Sequence, residues 1–324
     1  MKAVVCKAFG PPESLAVEEL PSPQPGPGQA VVAVKAASLN FPDILIIQNK
    51  YQVKTAPPFT PGSELAGVVK QVGDGVAHLK PGDRVFGVVG NGAFAQECVA
   101  QAKRLIPIPQ GMDFNAAASF LLAYGTSHHA LRHRSRSRPG ETLLVLGAAG
   151  GVGLAAVEVG KVLGLRVIAC ASSDEKLALC RRHGADEGIN YSREDLRNRI
   201  RELTGGHGVD IIYDSVGGGH TEAALRSAAW RGRLLVIGFA AGDIPRMPLN
   251  LALLMERDIV GVYWGAWLER APEEFQESLR ELGDWFREGR IRPHVSKVYG
   301  LAQVAEAMSA MQRRVVAGKV VIAP

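Results

Sequence analysis

The sequence predicts an α/β protein of two domains, a β-rich domain followed by a doubly wound parallel sheet, and three observations carry that reading. The first 110 residues are short apolar runs broken by Pro and Gly: MKAVVCKAF, QAVVAVKAASLN, LAGVVKQVG, DRVFGVV and AFAQECVA. That is the pattern of a barrel-like β domain. After PIPQGMDFNAAASF the rhythm changes to alternating strand and helix signals. Within it, LVLGAAGGVGLAA at 144–156 places a glycine turn between a strand and a helix, the arrangement that receives a pyrophosphate in dinucleotide-binding sheets. At 324 residues the chain is long enough for about two cores.

The alternating region begins with an Ala-rich helix near 114–131. Strands are then expected at 142–147, 166–171, 187–191, 209–216, 233–239 and 258–265, with helices such as GLAAVEVGKVLG, DEKLALCRRHG and GHTEAALRSAAW between them. Parallel strands joined by helices need right-handed crossovers and a sheet covered on both faces. The last segment, RPHVSKVYGLAQVAEAMSAMQRRVVAGKVVIAP, ends in a β run and is expected to return to the N-terminal domain. The predicted domains are therefore 1–119 completed by 290–324, and 120–289.

Composition narrows the function classes. Hydrophobic residues make up 47% and charged residues 21%, with a net charge of +5, the profile of an ordinary globular protein rather than a disordered or nucleic-acid-binding one. Cys6, Cys98, Cys170 and Cys180 never approach a C-x-x-C spacing, and the N-terminus has no apolar leader core, so a cytoplasmic location is expected and no metal or disulfide framework. No run is long and apolar enough for a membrane span.

In LGAAGGVG, Gly147, Gly150 and Gly153 stand three apart. In the G-x-G-x-x-G frame Ala148 takes the first place, with Gly150 and Gly153 in the others, so the turn Ala149, Gly150, Gly151, Val152, Gly153 is the expected cofactor cradle. About 20 residues on, an NAD site places an acid at the end of the second strand. Here the strand ends ACASSDEK. Ser172 and Ser173, with Lys176 one helical turn on, suit a 2′-phosphate and favour NADPH. Asp174 stays open as a ribose acid or, preferably, the cap of the next helix. Tyr191, ending EGINY, is a further candidate near the adenosine phosphate or a core tyrosine.

The residues SLNFPDILIIQNKY, PFTPGSELAGVV, LGAAGGVG, GADEGINY and GKVVIAP, taken in order, resemble the medium-chain dehydrogenase/reductases. They are most similar to the zinc-independent, zeta-crystallin-like NADPH:quinone oxidoreductase branch. The resemblance covers essentially the whole chain. It implies a GroES-like β-rich catalytic domain plus a doubly wound Rossmann domain, NADPH as cofactor, a quinone as acceptor, and a homodimer built by extending the Rossmann sheet through the apolar DIVGVYWGAW strand.

Zinc-dependent relatives carry Cys-His where this chain has Asn40-Phe41, and Gly-His-Glu where it has Gly62-Ser63-Glu64. Asn, Phe and Ser are poor Zn²⁺ ligands, so no metal is expected. Without a Lewis acid, alcohol oxidation is disfavoured and an electron-poor acceptor is expected. By resemblance, Asn40, Asp43 and Tyr51 lie on the cleft side of the β domain. Asn40 and Tyr51 are assigned as substrate-polarising donors, and Tyr51 also as a proton donor. Thr126, Gly238, Phe239, Tyr263 and Trp264 are carried over as cofactor neighbours, and Lys319 as a phosphate-neutralising lysine or a solvated one. Asp83 and Asp214 read as turn residues. The basic stretch HHALRHRSRSRPGE at 128–141 reads as a solvated helix end, with a nucleic-acid or acidic-partner patch as the other reading. Two rival functions remain on this scaffold: reduction of activated alkenes such as enones or acryloyl-type thioesters, and a structural or RNA-associated cofactor-binding role.

Overall fold

The structure is a computed structural model describing residues 1–324. In chain order it lays down β1 (Lys2–Val5), β2 (Ala16–Glu19), β3 (Gln29–Leu39), α1 (Phe41–Ile47), β4 (Glu64–Val72), β5 (Arg84–Val88), β6 (Glu97–Gln101), β7 (Leu105–Pro107), α2 (Phe114–Ala118) and α3 (Leu121–His128). A π-helical turn, His129–Arg134, leads on to β8 (Thr142–Leu146), α4 (Gly151–Val162), β9 (Arg166–Ala171), α5 (Asp174–Arg182), β10 (Glu187–Asn190), α6 (Leu196–Leu203) and β11 (Val209–Asp214). There follow α7 (Gly219–Arg226), β12 (Ala228–Val236), α8 (Asn250–Leu253), β13 (Asp258–Gly261), α9 (Trp264–Arg270) and α10 (Pro272–Arg287). The chain closes with β14 (Val295–Gly300), α11 (Val304–Gln312) and β15 (Lys319–Ala323).

Two compact units result, Met1–Leu122 with Pro293–Pro324, and Ala123–Arg292. Each boundary falls three residues beyond the one expected from sequence. In the first unit the sheet order is β14-β15-β3-β4-β5-β7, with β6 also on β3. The C-terminal strand lies inside this sheet: β15 runs antiparallel to β3, with Val320 opposite Leu39, and parallel to β14. Val32, Leu65, Ile44, Ile47, Phe94, Met308 and Ile322 share its core, each buried side chain contributing about 1.5–3 kcal/mol.

The second unit has the order β10-β9-β8-β11-β12-β13 with every pairing parallel. Counted within the unit this is 3-2-1-4-5-6, the dinucleotide-binding order. Strands covered on both faces read as continuous apolar runs, and in LLVL of β8 all four residues are buried.

Three expected elements are corrected. The helix expected over 114–131 breaks at Ser119, whose N–H closes α2 on Ala116, and Phe120 packs edge-on against Phe86 at 6.2 Å. The strand expected over 233–239 starts earlier, at Ala228, and passes through Arg231 at φ +57°. The sixth strand, expected to reach 265, stops at Gly261, because the chain turns to bury Trp264 at the start of α9.

In the stretch 128–141 the arginines Arg132, Arg134, Arg136 and Arg138 are exposed, as expected of a solvated helix end, but the histidines are not. His128 and His129 are buried, and His129 stacks on Trp267 at 4.1 Å between ring centroids. His133 bonds Ser278, Arg132 pairs with Glu281, and Arg134 bonds the Gly261 carbonyl. Arg132 and Arg134 thus reach α10 and the end of β13 from the surface. Burial, followed by the neighbouring His133 and Arg134 charges, pushes His129 down to about 4, against an opposing pull from Glu274. A depressed basic group withholds no stability above its unfolded value of about 6.5, and stability is lost as pH falls below it. Between pH 6.5 and 5 the loss from His129 alone is about 2 kcal/mol. Thermal unfolding at pH 7 and pH 5 checks this: His129→Phe, which keeps the ring stack, should flatten the pH dependence of Tm. An unchanged slope would rule His129 out as its source.

Candidate active site

The glycine turn follows directly from β8. Gly147 takes a left-handed φ of +69°, and Gly150 stands at the N-cap of α4, where no side chain caps the helix. The first-turn N–H groups and the positive end of the helix dipole are left for an anion. Gly153 is needed for close approach: a Cβ there would lie 2.3 Å from the Gly147 carbonyl oxygen and 2.9 Å from Ala148 Cα. Ala148 and Ala149 are buried beneath the turn. From α3, the Ser127 hydroxyl donates to the Val152 carbonyl at 2.9 Å, with Thr126 buried beside it in sequence. Asp214, at the end of β11, accepts the N–H groups of Val216 and Gly217 and the Thr221 hydroxyl, which is the turn role expected of it. Asp83 likewise accepts from the Lys80 N–H.

At the end of β9 the expected phosphate residues come together. Lys176 Nζ donates to Ser172 Oγ at 3.2 Å, and Ser173 Oγ accepts the Lys176 N–H at 3.3 Å. Ser173, not Asp174, is therefore the cap of α5. Asp174 accepts from Asn190 Nδ2 at 2.7 Å and from Arg193 Nη1 at 2.9 Å, so its charge is already met by a cation. Arg193 was not expected from sequence, although it follows EGINY by only two residues. Tyr191 lies half-buried against the His220 ring at 4.6 Å.

The catalytic candidates of the first unit divide. Asn40 is buried, and both its amide hydrogens are committed, to the Ser38 carbonyl and to Glu64 Oε2, each at 3.2 Å. Its role as a substrate donor is corrected to a scaffolding one. Lys319 is corrected too: it is neither solvated nor presented to a phosphate. Only 6% exposed, its ammonium lies 2.5 Å from Asn40 Oδ1 and 3.5 Å from Glu64 Oε2. Glu64, with no exposed surface, also accepts the Leu122 N–H at 2.9 Å. Asp43 caps the Asn40 N–H at 2.7 Å and is likewise fully buried. Burial raises Asp43 to about 6 and raises Glu64, and it lowers Lys319; in each case the opposite charge nearby offsets part of the shift. Tyr51 remains as a half-exposed side chain in the loop after α1.

Gly238 follows β12, its N–H on the Asp214 carbonyl, and Phe239 succeeds it. Tyr263 is exposed, but Trp264 points inward: a Cβ on Gly125 of α3 would lie 2.8 Å from its Nε1. Its side chain packs α9 against α3.

Comparison with known proteins agrees with this architecture. Residues 26–110 match the alcohol dehydrogenase GroES-like domain, and 151–284 match the family described as zinc-binding dehydrogenase. A quinone oxidoreductase-like protein 2 homolog of Nematostella vectensis is 40% identical over 99% of this chain and 88% of its own length. The quinone oxidoreductase of Pseudomonas aeruginosa is 36% identical over 100% of this chain and 99% of its own. Among solved structures, Escherichia coli quinone oxidoreductase complexed with NADPH superposes with a TM-score of 0.94 at 30% identity, covering both chains fully. The chain belongs to the medium-chain dehydrogenase/reductase family.

The zinc in one family description does not fit this member. At the position of the metal ligands in zinc-dependent relatives stand Asn40, Ser63 and Glu64, an amide, a hydroxyl and a carboxylate where zinc prefers thiolate and imidazole. The carboxylate and the amide oxygen already hold the Lys319 ammonium, and no group of three His, Cys, Asp or Glu side chains is placed to hold a metal. No step is routed through a metal.

The glycine turn yields a direct test. Gly153→Ala should destabilise the protein by about 1–3 kcal/mol, because the new methyl meets backbone rather than a movable side chain. Thermal unfolding reads it, and a wild-type Tm would mean that the close approach is not required.

Proposed function

We propose that this chain is an NADPH-dependent quinone oxidoreductase working without a metal. The observation that carries the reading is the corner at the end of β9, where Lys176 is held on Ser172, and of the two neighbouring carboxylates Asp174 pairs with Arg193 while Glu175 bonds Ser173. A 2′-phosphate placed there gains a charge-assisted contact with Lys176, with the Arg193 guanidinium offsetting the carboxylate beside it. The relatives named as quinone oxidoreductases, one of them complexed with NADPH, support the cofactor and the acceptor.

The cofactor's contribution, when bound, is a hydride. The uncapped N–H groups of Gly151 and Val152 and the α4 dipole take the pyrophosphate, while Gly153 lets it approach the backbone. Thr126, Gly238 and Phe239 are assigned to the cofactor's remaining length. Tyr51 donates a hydrogen bond to the acceptor oxygen and delivers its proton. Since the oxygen is stabilised by hydrogen bonding alone, the acceptor must be electron-poor beforehand, as a quinone is.

The experiment is NADPH oxidation with 1,4-quinones, repeated with NADH and with a chelator. Turnover should be unaffected by chelator. Lys176→Ala should raise the NADPH KM roughly 10–100-fold, the worth of one charged hydrogen bond, and leave the NADH KM nearly unchanged. Tyr51→Phe should lower kcat at least 10-fold with little effect on the NADPH KM. No quinone turnover by a protein that binds NADPH would refute the activity.

The same reading makes the protein a cytoplasmic homodimer. Its four cysteines are unpaired and buried, in keeping with a reducing compartment, and no helix is long and apolar enough to cross a membrane. β13 ends its sheet, with Ile259 42% exposed, and α8 nearby in sequence presents Leu253 at 77%. An apolar edge strand invites a second copy. Light scattering should give twice the chain mass, and Ile259→Lys with Leu253→Glu should halve it; a monomeric wild type would dismiss the dimer.

A further inference from the structure

Beneath the glycine turn of the second unit lie two hydroxyls with no exposed surface, and their hydrogens can be assigned by elimination. Three oxygens surround Ser127 Oγ on α3: the Ala123 carbonyl at 2.9 Å, the Val152 carbonyl at 2.9 Å and the Tyr213 hydroxyl at 3.0 Å. Tyr213 lies on β11, opposite Val145 of β8, and burial raises it, so it keeps its proton. Its hydrogen has one acceptor in reach, Ser127 Oγ, and a buried hydroxyl hydrogen left without an acceptor is costly. Tyr213 therefore donates to Ser127. The serine's own hydrogen goes to the carbonyls, Val152 among them.

The Val152 carbonyl belongs to the same peptide as the Gly153 N–H. Gly153 is the third residue of α4, in the first turn, where helix N–H groups have no carbonyl partner. This turn, Gly151-Val152-Gly153, has two glycines in three residues and no side-chain cap, and glycine weakens a helix. It is the part of α4 least able to hold its own peptides in plane. A hydrogen bond accepted by the Val152 carbonyl fixes that plane and strengthens the N–H on its other side, because hydrogen bonds in a chain polarise one another.

We propose that Ser127 and Tyr213 are positioning residues for the cofactor, a two-hydroxyl brace that holds the 152–153 peptide with its N–H presented to the pyrophosphate. The inference rests on the reading of the turn as the pyrophosphate cradle and adds to it residues outside the glycine pattern: the glycines permit the approach, and the brace sets one of the donors. The pyrophosphate is common to NADPH and NADH, so the brace acts on both cofactors, whereas Lys176 acts on the 2′-phosphate alone. The same pair of helices supplies a control. About two turns further along α4, the Tyr124 hydroxyl of α3 donates to Glu158 Oε2 at 2.6 Å. That bond also ties α3 to α4, but it ends on a side chain rather than on a peptide of the cradle.

The test titrates the full chain with NADPH and with NADH, read by cofactor fluorescence, beside the Tm of the cofactor-free protein. Ser127→Ala strands the buried Tyr213 hydroxyl; it should lower Tm and weaken both cofactors roughly 3–10-fold, the worth of one hydrogen bond. Adding Tyr213→Phe removes the stranded group and should recover much of the Tm, since deleting both partners of a buried hydrogen bond costs less than deleting one, while both affinities stay low. Tyr124→Phe should lower Tm and leave both affinities near wild type. Where Ser127→Ala does not fold, the double variant, which strands no hydroxyl, carries the comparison. Affinity that recovers together with Tm in the double variant would make the pair structural alone and overturn the inference, as would an equal loss of affinity in Tyr124→Phe or a loss confined to NADPH. A wild type that binds neither cofactor would sink the cradle reading, and the inference with it.

Discussion

Burial of two carboxylates in the first unit is the constraint from which much of the chain's arrangement follows. Glu64 opens β4 and Asp43 sits in the first turn of α1, and both are sealed from water. Removing the partner of a buried charge costs about 3–5 kcal/mol, so a cation must be delivered to that point. No lysine or arginine within the first 122 residues does this; Lys319 arrives on β15 instead. The terminal strand is therefore an integral part of the β domain, paired on both sides by β14 and β3. The chain has to leave for the second unit and return before the first can be completed.

In the second unit the governing constraint is distance rather than charge. A pyrophosphate can approach the backbone only if α4 comes down closely on the end of β8, and the 2.3 Å that a Cβ at Gly153 would leave to the Gly147 carbonyl shows how closely it does. The strands on either side are buried on both faces, so the turn sits on a base that cannot shift. Ser127 and Asp214 brace the turn and the neighbouring β11 end with hydrogen bonds. A sheet buried on both faces and a helix start with no side-chain cap leave the first-turn N–H groups of α4 unclaimed by any side chain.

Much of the fold was legible because its signals are local. Alternation of apolar runs with helical segments gave the parallel sheet, and the spacing of Gly147, Gly150 and Gly153 gave the turn. Ser172, Ser173 and Lys176 fall together for the same local reason: all lie within five residues of the end of β9. What sequence reading missed is nonlocal. Asn40 looked like a donor and Lys319 like a phosphate ligand, because a sequence separation of 279 hides their contact. The one available hint was chemical: a lysine beginning the apolar run KVVIA and a glutamate beginning ELAGVV are each out of place in a buried strand, and two such misfits of opposite sign can satisfy one another. The histidines of 128–133 misled in the same manner, since only the tertiary fold supplies Trp267, Trp285 and Glu281 to bury them.

The absence of zinc-type ligands and the presence of Lys319 are two sides of one substitution in chemistry. A metal at this position would contribute both cohesion, by tying α1 to β4, and Lewis acidity toward substrate. The lysine can replace only the first. Its ammonium is spent on Asn40 and Glu64 and lies almost wholly out of solvent, so it stabilises the scaffold without polarising an acceptor. A chain built in this way keeps the architecture of a dehydrogenase and gives up the reaction that most needs a metal, stabilisation of an alkoxide. What it retains suits acceptors whose own electron deficiency draws the hydride.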